Sequence, residues 1–131
     1  MASDGHRGTI LVVDDNRDIR GLTKRLLEIA GHTVLTAADG EEGLLCYETH
    51  RSSIALLLTD VAMPNMGGFE LAERVLRMDS QVSVVLMSGD TGRDYQSWDY
   101  LAKPFRPAEL IETVDRVLSA NAQVTAAHNA Y

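Results

Sequence analysis

Three short apolar runs in this chain of 131 residues each end at a charged group, and that repetition constrains the fold more than any other feature. Ile10 to Val13 leads into Asp14-Asp15, Ile54 to Leu58 into Thr59-Asp60, and Tyr100 to Ala102 into Lys103-Pro104. Apolar runs of this length, with polar residues at their ends, read as buried strands. In an open parallel sheet the strand C-termini share one edge, and ligands bind in the crevice there. Three acids and one lysine at such an edge form a small site for a hard cation and an anionic group.

The segments between the runs carry helical periodicity. After a first strand over about Thr9 to Val13, Ile19, Leu22, Leu26 and Ile29 recur at three, four and three residues, the inward face of an amphipathic helix. Ala30-Gly31 supplies its stop, because glycine takes the left-handed conformation at little cost. Thr33 to Ala37 is a second strand, and Asp39 is placed to cap a helix over about 40–49 that buries Gly43, Leu44 and Tyr47. The third strand, Ile54 to Thr59, is almost uniformly apolar and so belongs at the centre of the sheet. A loop with Met63-Pro64 and Gly67-Gly68 leads to a helix ending near Met78, with Leu71, Ala72, Val75 and Leu76 inward. Strands over Val82 to Met87 and Asp99 to Ala102 follow. A last helix starts near Pro107 and buries Leu110, Ile111, Val114, Val117 and Leu118. Alternation with short, right-handed connections gives an α/β fold: a doubly wound, five-stranded parallel sheet. The expected folded unit is 9–120, between short tails at 1–8 and 121–131.

One connection is too short for the pattern. Between Ser88 and Trp98 lie the residues Gly89 to Ser97, with two glycines (Gly89 and Gly92) and no apolar periodicity. A parallel crossover with its helix needs ten to twelve residues or more. The helix of the fourth crossover is therefore shortened or missing, and either Trp98 or a partner covers the face it leaves open, with Trp98 the favoured expectation.

Composition excludes several classes. A net charge of −7 argues against nucleic acid, because affinity for a phosphate backbone needs clustered Lys and Arg. The single cysteine, Cys46, has no partner for an internal disulfide and fits a reducing compartment. No apolar run reaches the length of a membrane span, and Met1 to Thr9 is too polar for a signal peptide, so a cytoplasmic location is expected.

Adjacent side chains at a strand end diverge, so of Asp14 and Asp15 one would bind a cation and the other hold one of its waters. Mg²⁺ suits this, since it prefers oxygen ligands and keeps several waters. Asp60 would complete the carboxylates, or act as a nucleophile that forms an acyl phosphate. Lys103 and the Ser88 hydroxyl are placed to meet phosphoryl oxygens. Singly, each has a plainer reading: Asp14, Asp15 or Asn16 as a helix cap, Asp60 as a loop acid, Lys103 as a solvated lysine, Ser88 as a turn residue. Their placement at one sheet edge favours the joint site.

In these motifs the chain resembles the receiver domain of bacterial two-component response regulators, over about Thr9 to Ala120. Leu11-Val12-Val13-Asp14-Asp15 is similar to the family's acidic pair, and Leu57 to Gly68 to the segment around its phosphoacceptor. Met87-Ser88-Gly89 is similar to its switch-hydroxyl segment, and Leu101 to Phe105 to its lysine segment. The resemblance implies the flavodoxin-like strand order 2-1-3-4-5 and Asp60 as phosphoacceptor. It implies Mg²⁺ held directly by Asp15, Asp60 and the backbone carbonyl of Ala62, and through water by Asp14. Ser88 and Lys103 would bind the phosphoryl oxygens, and the Lys103–Pro104 bond would be cis. Tyr100 matches the family's switch aromatic, against a plainer reading as an edge-strand aromatic. The implied donor is a phosphohistidine on a histidine kinase or histidine phosphotransfer protein, and a homodimer is a further option. His6, His32, His50 and His128 are scattered and need no such role.

The leading expectation is thus a phosphorylatable switch that acts on a partner and catalyses only its own phosphoryl transfer and dephosphorylation. About ten residues follow the last helix, too few for an output domain, so output is expected through the receiver's own contacts or through domains outside this chain. Two alternatives belong to other classes. A receiver-fold interaction module that is never phosphorylated would usually lack part of the acidic cluster or the lysine, and here all are present. A metal-dependent phosphatase with an aspartyl nucleophile would want a second acid two residues on, where this chain has Ala62.

Overall fold

A computed structural model describes residues 8–90, 95 and 97–129, with 122–129 as backbone alone. The elements run β1 (Thr9–Val13), α1 (Arg17–Ile29), β2 (Thr33–Ala37), α2 (Gly40–Thr49), β3 (Ile54–Asp60), α3 (Gly68–Met78), β4 (Ser83–Ser88), β5 (Asp99–Ala102) and α4 (Pro107–Asn129). The strands form one parallel sheet in the order β2-β1-β3-β4-β5. This is the doubly wound arrangement expected from the alternation.

The pleat sorts the core into two layers. Ile10 and Val12 of β1 and Leu56 and Leu58 of β3 face α1 and α4, where they meet Leu27, Leu110 and Val114. Leu11, Val13 and Leu57 point the other way, against Tyr47 of α2 and Leu71, Ala72 and Val75 of α3. Side chains that alternate along a strand while both faces are helix-covered produce the continuous apolar runs of the sequence.

Two local features fix how helices enter and leave the sheet. Gly31, at φ 101°, ends α1 in the left-handed region, as its position after Ala30 implies. Gly68 opens α3 so close to β3 that a Cβ there would collide with the carbonyl oxygen of Asp60. Its amide also donates to the Val61 carbonyl at 3.0 Å. The first turn of α3 is thereby seated against the end of β3.

The inward face of α1 departs from the expected set. Thr23 and Leu27 are buried, Ile19 and Leu26 are half-buried, and Leu22 and Ile29 are 54% and 79% exposed. At about 100° per residue, Leu22 and Ile29 fall some 60–80° to one side of Ile19, and Thr23 and Leu27 about 40–80° to the other. The apolar stripe is wider than the sheet covers, and its far edge stays in solvent.

The last helix also differs from expectation, since its backbone continues to Asn129 rather than ending near Ala120. The stretch from Asn121 to Asn129 holds neither glycine nor proline to stop it.

Between β4 and β5 the described residues form no helix. Gly92, one of the two glycines behind that expectation, lies outside the described residues. The face is covered by an aromatic cluster. Tyr95 stacks on Tyr100 with ring centroids 4.3 Å apart and on Phe69 at 6.0 Å, and Trp98 meets Phe69 edge-on at 5.8 Å. Four of the chain's seven aromatic residues sit here, Trp98 with three further rings.

Candidate functional site

The carboxyl edge of the sheet gathers the expected groups. Asp14 follows β1 and is fully buried, Asp15 beside it is exposed, and Asp60 ends β3 at 7% exposure. One carboxylate oxygen from each lies within 4.8 Å of the other two. Lys103, just past β5, donates from Nζ to Asp14 Oδ2 at 2.8 Å and stands 3.5 Å from Asp60 Oδ1. Its peptide bond to Pro104 is cis.

The helix-cap reading of the acidic pair is answered by Asn16. Its Oδ1 accepts from the Ile19 amide at 3.0 Å and caps α1. Asp14 Oδ1 accepts from the Asn16 amide at 2.9 Å, and Arg20 Nη1 donates to the Asp14 carbonyl at 2.9 Å. Asp14 is therefore fixed from several directions, while Asp15 remains open to solvent.

Burial raises the Asp60 pKa above the usual carboxylate value. Lys103 opposes that shift, and Asp14 and Asp15 add to it by like-charge repulsion. A group in this position gains from a cation that offsets its neighbours. Three hard oxygen donors, one of them exposed, fit Mg²⁺ with retained waters. Ala62 is exposed in the loop two residues beyond Asp60. A divalent cation there would be held by Asp14, Asp15 and Asp60.

Ser88 ends β4, buried, on the strand between β3 and β5. Its carbonyl accepts from the Lys103 amide at 2.9 Å and from the Tyr100 hydroxyl at 3.1 Å. Its Oγ accepts from the Asp90 amide at 2.9 Å and from the Tyr95 hydroxyl at 3.0 Å. Tyr100 lies half-buried on edge strand β5, and burial, with Tyr95 and Asp90 adding, raises its hydroxyl pKa. Tyr95 and Phe69 escaped sequence reasoning. The available signal was the missing crossover helix, which demands apolar cover from nearby rings.

A doubly wound sheet with three acids, a lysine and a buried hydroxyl on its carboxyl edge can hold a hard cation beside an anionic group, the arrangement expected of a receiver domain. The family profile of the response regulator receiver domain matches residues 10–115. The chain is 36% identical over 116 residues to the transcriptional regulatory protein CpxR of Escherichia coli (strain K12), covering 83% of this chain and 48% of that protein. Among solved structures it is similar to the receiver domain of the hybrid histidine kinase CckA, at 37% identity and TM-score 0.75, covering 85% of this chain and 99% of that one. It is also similar to the response regulator TrrA of Thermotoga maritima in complex with Mg²⁺ and BeF, at 31% identity and TM-score 0.76, covering 84% and 98%. The chain belongs to the response regulator receiver domain family. It spans about half the length of the curated relatives it matches. Among the described residues, no helix is long and apolar enough to cross a membrane.

Proposed function

We propose that this chain accepts a phosphoryl group from a phosphohistidine donor onto Asp60 and switches its contacts to control a partner. The observation that carries this reading is the pairing of Asp60 with Lys103 at 3.5 Å inside the cluster of Asp14, Asp15 and Asp60. An Asp60 carboxylate oxygen attacks phosphorus, the P–N bond to the donor imidazole breaks, and the nitrogen leaves with the electron pair and is protonated. The product is an acyl phosphate on Asp60. Lys103 offsets the charge added beside Asp60, and the Ser88 hydroxyl donates to a phosphoryl oxygen. Mg²⁺, when bound by the three aspartates and the Ala62 carbonyl, would supply charge neutralisation on the transferring oxygens. Tyr100, whose hydroxyl meets the Ser88 carbonyl, is placed to change position when Ser88 does.

The exposed edge of α1 supports the partner class. Leu22 and Ile29, with half-buried Leu26 between them, present an apolar strip on the helix that begins two residues past Asp15. Such a strip fits a helix of a histidine kinase or histidine phosphotransfer protein that brings its phosphohistidine to Asp60.

Incubation with Mg²⁺ and acetyl phosphate, followed by intact-mass measurement, tests the reading. The expected result is a gain of one phosphoryl mass in the wild type and none in Asp60→Asn. Absence of any gain would favour an interaction module that works without phosphate. Turnover of donor without accumulation would favour a phosphatase.

A further inference from the structure

Tyr95 lies outside every motif that marks the site, yet its hydroxyl is bonded to the side chain that the proposed function assigns to phosphoryl contact. A serine hydroxyl offers two acceptor lone pairs and one donor proton. At Ser88 both acceptor positions are taken, by the Asp90 amide at 2.9 Å and the Tyr95 hydroxyl at 3.0 Å. The Ser88 proton is what remains, free to donate to an incoming oxygen. Two accepted bonds also polarise that O–H and strengthen the bond it donates.

The other oxygen of Ser88 is held by the neighbouring ring. Tyr100 donates to the Ser88 carbonyl at 3.1 Å and stacks on Tyr95 at 4.3 Å, with the ring planes 12° apart. Two stacked tyrosines thus grip both oxygens of one serine. The stack continues through Phe69 to Trp98. Filling the space left by the crossover helix would need only the Tyr95 ring. The hydroxyl does something the ring does not, and it is bonded to the switch side chain.

We propose that Tyr95 is a positioning residue: its hydroxyl sets the Ser88 Oγ to donate to the phosphoryl group, and its ring couples that serine to the aromatic cluster. This rests on the proposed acceptance of phosphate at Asp60, and the test separates the two. Tyr95→Phe keeps the ring and removes only the hydroxyl. The chain has one tryptophan, Trp98, so its emission reports the cluster directly.

Wild type, Tyr95→Phe, Ser88→Ala and the double variant are each incubated with Mg²⁺ and acetyl phosphate, with mass gain, Trp98 emission and thermal melts recorded. The wild type should gain phosphate and change its Trp98 emission. Tyr95→Phe should melt like the wild type and gain phosphate roughly two- to tenfold more slowly, the weight of one hydrogen bond. Its emission change should fall by at least half. The double variant should be no slower than Ser88→Ala alone, because Tyr95 acts through Ser88. Wild-type rate and emission in Tyr95→Phe would overturn the proposal, as would a double variant in which the two losses multiply. A wild type that takes no phosphate overturns the proposed function itself, and the role of Tyr95 with it.

Discussion

At the scale of single residues, the site sets opposing demands on one carboxylate. Asp60 is buried beside two other acids, and its pKa in the fold lies above its unfolded value. Between those two values the folded protein holds more protons than the unfolded chain, so stability falls as pH rises through that window. The penalty persists at neutral pH in the metal-free protein. In EDTA at pH 7, Asp60→Asn should therefore melt above the wild type, and the gap should narrow as pH drops into the carboxylate range. Equal melting temperatures at pH 7 would mean that Lys103 already offsets the burial. Asp14, Asp15, Asp60, Ser88 and Lys103 were legible before any coordinates because each ends or follows an apolar run, and a parallel sheet brings run ends together. Tyr95 was not legible, since a lone tyrosine in a polar connection has no periodicity to say which way it turns. Whether Asn16 or an aspartate capped α1 also waited on geometry, because asparagine and aspartate cap equally well.

Elements were read well where a run had clear ends and less well where coverage mattered. The spans of β1, β2 and β5 match expectation residue for residue, bounded by turns and charges. Periodicity on α1 identified an apolar stripe but could not say how many degrees of it the sheet would cover. That helix holds a second surprise in Thr23, buried, whose Oγ1 has no hydrogen-bond partner among the described residues. Thr23→Val removes an unmatched hydroxyl with little change of shape and should stabilise the fold by about 1 kcal/mol, read from the denaturant midpoint. An unchanged or lower midpoint would indicate a water held at that hydroxyl. Glycines on two helices should respond in opposite directions. A Cβ at Gly21, on α1, meets nothing within 4 Å, so Gly21→Ala should stabilise by about 0.5–1 kcal/mol through helix propensity. Gly68→Ala drives a methyl into the Asp60 carbonyl and should cost about 1–3 kcal/mol. It should also slow phosphate gain, because the backbone that must yield carries the proposed acceptor. A Gly68→Ala protein as stable as wild type would show that α3 slides freely on β3.

For the whole molecule, a net charge of −7 means that any added salt relieves repulsion, so a specific cation effect must be separated from screening. Millimolar Mg²⁺ should raise the melting temperature beyond a sodium control of equal ionic strength, since the cluster proposed to hold it is assembled only in the folded state. The extra shift should shrink in Asp15→Asn, and an identical shift there would remove Asp15 from the site. The overall architecture was legible because alternation and short connections leave few topologies open. What covers the β4–β5 face was only partly so: a missing helix announces a gap, while the rings that fill it come from α3, the crossover and β5. The close seat of Gly68 on Asp60 has a mechanical consequence. On that flank backbone abuts backbone, without room for a single methyl group. Ser88, by contrast, rests on hydroxyls and stacked rings, one of them Phe69 of α3, which shift by rotating side chains. On the proposed function, strain at the sheet edge would be released by turning those side chains rather than by shifting the backbone where Gly68 meets Asp60.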